Sequence, residues 1–295
     1  MTLTHCPYCA FQCGMQLRVE GDVVTVQGDS EFPVNRGALC VKGWTAAETL
    51  AHPERLRTPL ARGASGELAT VSWDHALERI AAAFRETSAR YGRDALGVFG
   101  GGSLTNEQAY LLGKFARVAL GTRHVDYNGR FCMSSAAAAG NRAFGVDRGL
   151  PFPLEAIAPA DAILLAGSNL AHTMPPIRRY LEAQGPNGGA LIVVDPRRTA
   201  TAELATVHLR LIPGTDAALA NGLLHVVVRD GLVDGDFVRA RTEGFERVKS
   251  VAATYWPERT ERITGVPEAE LVRAARVLGT AARPMVLTAR GPEQH

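Results

Sequence analysis

Four of the five cysteines of this 295-residue chain fall within its first forty residues, at Cys6, Cys9, Cys13 and Cys40. The spacing C-x2-C-x3-C puts three thiols on one tight loop, and the fourth closes a cage from a distance. In a reducing compartment such clustering favours metal ligation over disulfides. Four thiolates are what a [4Fe-4S] cluster requires, and Gly14, Gly37 and Gly43 let backbone approach the sulfurs. Structural zinc also takes four cysteines, but its ligands come as paired short-spaced knuckles, and Cys40 has no close partner. The spacing predicts an iron–sulfur cluster, with zinc as the competing metal.

Lys42 lies two residues past the fourth cysteine, in a chain whose only lysines are Lys42, Lys114 and Lys249. A compact ammonium there could favour the reduced, more negative cluster and bridge it to a second cofactor; a solvated surface cation explains it as well. The fifth cysteine stands in Asn128-Gly129-Arg130-Phe131-Cys132-Met133, ahead of a small-residue stretch that can begin a helix. The positive end of a helix stabilises a thiolate, although a lone cysteine is more often a small buried hydrophobe.

Three turns follow short apolar runs. Gly167-Ser168-Asn169 comes after residues 162–166, Asp195-Pro196-Arg197-Arg198 after 190–194, and Pro213-Gly214-Thr215-Asp216 after 207–211. At the carboxyl ends of parallel strands, such turns lie where open α/β sheets bind ligands, with a flexible turn near phosphate and an acid on a ribose or base. Asp216 could accept from a guanine edge or serve only as a helix cap, and ordinary turn chemistry explains each motif taken alone. Generic nucleotide signatures fail: Gly100-Gly101-Gly102 lacks the third glycine of the dinucleotide fingerprint, and Gly113-Lys114 is followed by Phe115. Neither NAD nor ATP is indicated, and His-Glu-x-x-His and Gly-x-Ser-x-Gly are absent.

The elements that must position these residues read as a mixed α/β chain. Short alternating segments at 16–19 and 23–27 suggest a small β-rich lobe around the cysteines, and 56–66 reads as a linker. Ser72 can cap a helix over 73–91; a strand at 95–99 and a helix at 106–120 follow. Strands at 162–166, 190–194 and 207–211 enclose a helix at 176–184. Helices at 216–230, 234–241 and 268–278 precede a last strand at 284–288. Strands alternating with helices imply parallel, Rossmann-like sheets after the β-rich lobe. The net charge of +2, with no basic stripe, gives no support for a nucleic-acid partner. The apolar runs are far shorter than the roughly 20 residues that span a bilayer, so no membrane association is expected. Cys6 comes too early for a leader to precede it, which predicts a cytoplasmic protein.

The pattern C-x2-C-x3-C-x26-C with Lys42, followed by Asn-Gly-Arg-Phe-Cys-Met, is similar to the molybdopterin oxidoreductases, the family that includes assimilatory and periplasmic nitrate reductases, over essentially the whole chain. The resemblance implies a [4Fe-4S] cluster on Cys6, Cys9, Cys13 and Cys40 and a molybdenum-bis(molybdopterin guanine dinucleotide). Cys132 would be the protein sulfur on molybdenum, with Asn128 and Arg130 beside it, and Lys42 would lie between cluster and pterin. One dinucleotide would be held by Gly167, Ser168, Asn169, Asp195, Arg197, Gly214, Thr215 and Asp216. Arg290-Gly291-Pro292-Glu293-Gln294, through Gly291 and Gln294, would form a pterin-side turn. Met133 follows the nitrate reductase pattern, whereas formate dehydrogenases place histidine after the cysteine.

Reduction of nitrate, a small anionic substrate, to nitrite is therefore expected, with electrons from a redox donor protein or reductase subunit. A formate dehydrogenase-like enzyme is the alternative. A non-catalytic electron-transfer subunit, as in the large iron–sulfur subunit of respiratory NADH dehydrogenase, is another, against which Cys132 and the dinucleotide turns argue. The implied domains are a [4Fe-4S] domain at 1–57, a partial α/β domain at 58–125 with 280–295, and a dinucleotide-binding domain at 126–279. Family members continue into a C-terminal β domain absent here, so either a truncated gene product or a separately encoded C-terminal portion as partner is expected, and catalysis by this chain alone is not expected.

Overall fold

Alternating side chains at the N-terminus form a three-stranded antiparallel sheet, β1 (Thr2–His5), β2 (Gly14–Glu20) and β3 (Val23–Gly28), in the order β1-β2-β3, with Gly14 opposite His5 and Met15 opposite Gly28. A short helix, α1 (Val41–Trp44), follows the fourth cysteine. This computed structural model describes residues 1–147 and 149–294. It divides into two compact units, Met1–Trp44 with Ser135–His295, and Thr45–Ser134.

The second unit begins with α2 (Glu48–Ala51) and a hairpin, β4 (Leu60–Arg62) and β5 (Leu68–Thr70), where the sequence suggested a linker. Ser72 accepts a hydrogen bond from the His75 amide and caps α3 (Trp73–Tyr91). Strand β6 (Val98–Gly100) starts later than the apolar run predicted, because Gly92 at φ +84° turns the chain into a single 3-10 turn at Arg93–Ala95. A reciprocal capping box between Thr105 and Gln108 opens α4 (Asn106–Lys114), which continues as π-helix over Phe115–Leu120. Strand β7 (Val125–Tyr127) pairs parallel with β6 and runs into α5 (Asn128–Cys132).

The first unit resumes along α6 (Ser134–Phe144) and builds a four-stranded parallel sheet. Strand β8 (Ala162–Ala166) leads through α7 (Leu170–Thr173), a turn at Pro175–Ile177 and α8 (Arg178–Glu182) to β9 (Ala190–Val194), followed by β10 (Val207–Leu209). Five helices come next: α9 (Asp216–Arg229), α10 (Gly235–Arg241), α11 (Phe245–Ala252), α12 (Pro257–Thr264) and α13 (Glu268–Gly279). Strand β11 (Pro284–Thr288) and α14 (Arg290–Glu293) close the chain. The strand order is β10-β9-β8-β11, all parallel. The last strand therefore belongs to this sheet; the expectation that 280–295 return to the first α/β domain is not met, because Pro284–Thr288 pair with Ala162–Ala166.

Strand β9 is apolar throughout because helices cover both faces of a parallel sheet. Its Ile192 and Val194 join Val207 and Leu209 of β10, Leu219, Leu223 and Val226 of α9, and Leu271, Ala274 and Ala275 of α13 in one core. Truncating a fully buried member such as Ile192 to alanine would cost about 2–5 kcal/mol. Helices α11 and α12 have no counterpart in the sequence reading: one follows a left-handed Gly244, the other opens on Pro257, and neither shows a long apolar period.

Candidate cofactor sites

The cysteine loops fold under backbone constraint. The Cys6 amide donates to the Cys13 carbonyl at 2.8 Å and the Gln12 amide to the Cys9 carbonyl at 3.1 Å, closing the first loop. Gln12 (φ +48°) and Arg36 (φ +45°) are the non-glycine residues with positive φ among those described, one in each cysteine loop. Each such residue stores about 1–2 kcal/mol. Asn35 has no exposed surface and ties the second loop to the first: its Oδ1 accepts from the Gly14 amide at 2.7 Å, and its Nδ2 donates to the carbonyls of Gly14 and Ala38 at 3.1 and 2.9 Å. Cys40 then starts α1 by accepting from the amides of Gly43 and Trp44.

The thiols of Cys6, Cys9 and Cys40 lie near enough to act on that of Cys13. Burial, and then the nearby Cys6, Cys9 and Cys40, push the Cys13 thiol up to about 11. Crowded, partly desolvated thiolates repel one another, and iron cations remove that repulsion, so the donor set fits a thiolate-ligated cluster. Among the described residues no three His, Cys, Asp or Glu side chains are grouped tightly enough for one metal ion. A four-iron core with a sulfur ligand at each corner spans more than a single ion.

Side chains of the sheet domain grip this lobe. The Arg179 guanidinium of α8 donates to the carbonyls of Asn35 and Val34 at 2.9 and 2.8 Å, Tyr180 donates to the Val34 carbonyl, and Arg36 pairs with Glu155. The half-buried Lys42 donates from Nζ to the Thr173 carbonyl at 3.0 Å, at the end of α7. Helix α7 begins at the turn after β8, so Lys42 links the fourth cysteine's helix to the first of the three predicted turns.

The carboxyl ends of β8, β9, β10 and β11 lie in one row, and chain order reverses between β8 and β11, the switch point where open α/β sheets form a crevice. There Gly167 (φ +67°) meets Gly291: a Cβ on Gly167 would stand 2.3 Å from Pro292 Cδ and 2.7 Å from Gly291 Cα. The Gly291 amide donates to the Gly167 carbonyl at 3.3 Å. Ser168 and Asp195 are buried; Asp195 Oδ1 accepts from the Arg197 amide at 2.8 Å, while Arg197 is exposed. His208 of β10 bonds the Asp195 carbonyl at 2.9 Å, a neighbour the sequence did not single out. At the far edge, Gly214 (φ +84°) lies in open space, Thr215 Oγ1 donates to the Ile212 carbonyl and Asp216 opens α9. Gln294 follows α14 directly.

The remaining predicted residues lie in the other unit, at the carboxyl ends of β6 and β7. Asn128 sits against Gly102, whose Cβ would stand 3.3 Å from Asn128 Oδ1, and Arg130 pairs with Asp126. That pairing, together with the Tyr127 amide, holds the Asp126 carboxyl below the usual carboxylate range, the amide contributing most. Cys132 is half-buried and ends α5, with α6 beginning at Ser134; the thiol thus closes one helix, where the reading from sequence had it facing only the start of the next.

Residues 55–295 match the model of the molybdopterin oxidoreductases, and residues 1–52 match the Fe4S4 domain of the same family. The chain belongs to the molybdopterin oxidoreductase family. Its cofactors are accordingly a [4Fe-4S] cluster and a molybdopterin, and zinc is set aside. The assimilatory nitrate reductase catalytic subunit of Bacillus subtilis is 43% identical over 99% of this chain and 41% of its own length. The F420-dependent formate dehydrogenase subunit alpha of Methanocaldococcus jannaschii is 37% identical over 99% of this chain and 42% of its own. Acetylene hydratase of Pelobacter acetylenicus superposes with a TM-score of 0.87 at 28% identity, over 99% of this chain and 41% of that one. The chain thus spans about two-fifths of the length of these relatives. The close packing of Gly167 on Gly291 joins the turns after β8 and β11, and the buried Asp195 stands at the same carboxyl end of the sheet, where open α/β sheets bind ligands. No helix among the described residues is long and apolar enough to cross a membrane.

Proposed function

We propose that the protein serves in the reduction of nitrate to nitrite. The observation that carries this reading is the segment Asn128-Gly129-Arg130-Phe131-Cys132-Met133, formed by α5 and its C-cap, in a chain 43% identical to a nitrate reductase subunit. Nitrate takes up two electrons and two protons to give nitrite and water, and the molybdenum–pterin group supplies the two-electron oxygen-atom chemistry. Cys132 provides the thiolate that holds the metal. Cys6, Cys9, Cys13 and Cys40 hold the cluster through which electrons enter, and Lys42, anchored on the Thr173 carbonyl, places a positive charge between cluster and pterin. Gly167, Ser168, Asn169, Asp195, Arg197, Gly214, Thr215 and Asp216 bind one guanine dinucleotide of a bis-dinucleotide cofactor, with the turn at Gly291 and Gln294 on its pterin side. The electron donor is a redox protein or reductase subunit, the compartment is the cytoplasm, and the remaining three-fifths of the relatives' length is supplied by further polypeptide.

Anaerobic purification with iron and molybdenum analysis tests the reading, using wild type beside Cys132→Ala. About four irons per chain in both proteins is expected, with molybdenum lost only from the variant. Iron without molybdenum in the wild type would leave an electron-transfer subunit. The formate dehydrogenase relatives motivate a second arm. Dye-linked assays of the molybdenum-loaded protein with its completing polypeptide should turn over nitrate, and formate turnover without nitrate turnover would overturn the substrate.

A further inference from the structure

Thr201 lies in the segment after β9, has no exposed surface, and reaches back to the turn after β8. Its Oγ1 accepts from the Ala171 amide at 2.9 Å and donates to Asn169 Oδ1 at 2.9 Å. Asn169 is the N-cap of α7, a position where an asparagine side chain ordinarily accepts from the amide of the second or third helical residue. Here the threonine takes that amide and passes its own proton to the asparagine. A hydroxyl has one proton to donate, and buried inside the protein it must find an acceptor. Asn169 Oδ1 is the acceptor Thr201 has, so the amide is held with Oδ1 toward Thr201 and both Nδ2 protons directed away from it. Among the described residues Asn169 Nδ2 has no hydrogen-bond partner, and the residue is half-buried at the carboxyl end of β8 beside Gly167.

We propose that Thr201 is a positioning residue for the dinucleotide: it fixes Asn169 so that the amide donates to a diphosphate oxygen. This rests on the dinucleotide-binding reading of the β8–β9 crevice. Hydrogen bonds to a charged acceptor are roughly twice as strong as neutral ones, so release of the asparagine is expected to weaken binding about ten-fold.

The test measures binding of guanosine diphosphate to the purified full chain by calorimetry, with thermal unfolding recorded in parallel. Thr201→Val is expected to lower affinity about ten-fold and Thr201→Ser to restore it, since serine keeps the hydroxyl. The deciding measurement is the double-mutant cycle with Asn169→Ala. If Thr201 acts through Asn169, valine at 201 has little further effect on affinity in the Asn169→Ala background, whatever it does to the melting temperature. The same ten-fold loss in both backgrounds would mean that Thr201 serves only the fold, and would overturn the proposal while leaving the dinucleotide reading standing. A wild-type chain that does not bind guanosine diphosphate would overturn both.

Discussion

Replacing Gly167 by alanine places a methyl group where the backbone turns left-handed and the last helix of the chain packs. Two separable costs follow. A side chain at φ +67° costs about 1–2 kcal/mol, because Cβ crowds the following carbonyl oxygen. The new Cβ would also stand 2.3 Å from Pro292 Cδ and 2.7 Å from Gly291 Cα, so α14 must shift, at a further cost of about 1–3 kcal/mol. Gly231, after α9, supplies the control, since it has φ +70° but nothing within 4 Å of its added Cβ. Gly231→Ala therefore carries the backbone cost alone. For a domain of this size, 1 kcal/mol moves the melting temperature by roughly 2–4 °C, which predicts a shift of about 10 °C for Gly167→Ala and about 4 °C for Gly231→Ala. Thermal unfolding followed by far-ultraviolet circular dichroism measures both. Equal shifts would refute the reasoning, because they would show that the turns after β8 and β11 are not in contact.

Asn35→Ala removes three hydrogen bonds from a fully buried side chain and leaves the Gly14 amide without its acceptor; a loss of about 2–4 kcal/mol and a drop in iron content are expected in denaturation and metal assays. Arg179→Ala releases the carbonyls of Val34 and Asn35, and faster hydrogen exchange should follow in the loop from Phe32 to Cys40 if the clamp is real. Hydrogen bonds from Arg229 and Arg276 lower the Asp230 carboxyl to about 2 from its usual 3.8. Because the folded value is the lower one, this contribution is fully present above about pH 4 and is lost as pH falls toward 2. An acid titration of Asp230→Asn should show a shallower decline across that window than wild type, and identical curves would place the acid sensitivity elsewhere.

The cysteine spacing was legible without coordinates, because metal ligation demands particular atoms at short sequence separation. The strands at 162–166, 190–194 and 284–288 were equally legible, since each must be buried and is a short apolar run bounded by turn residues. Helices α11 and α12 were not, because their few apolar positions make sense only against α9, which buries the Thr260 side chain against Gly222. The hairpin at 60–70 read as a linker because three-residue strands carry too little periodicity to register.

Residue types and local spacing by themselves determined the donor set, the family, the alternation of strands and helices, and the turns at the strand ends. Only the tertiary structure decided which strand stands beside which. Strand β11 lies next to β8 although more than a hundred residues separate them, and that pairing alone brings Gly291 against Gly167. It likewise decided that Thr201, on a different turn, holds Asn169, and that Asn35 bonds across to Gly14 beside Cys13. The physical reason is that local propensity and hydrophobic period act over a few residues. Hydrogen-bond satisfaction of a buried polar group is a global condition, met by whatever acceptor or donor the completed fold brings within reach.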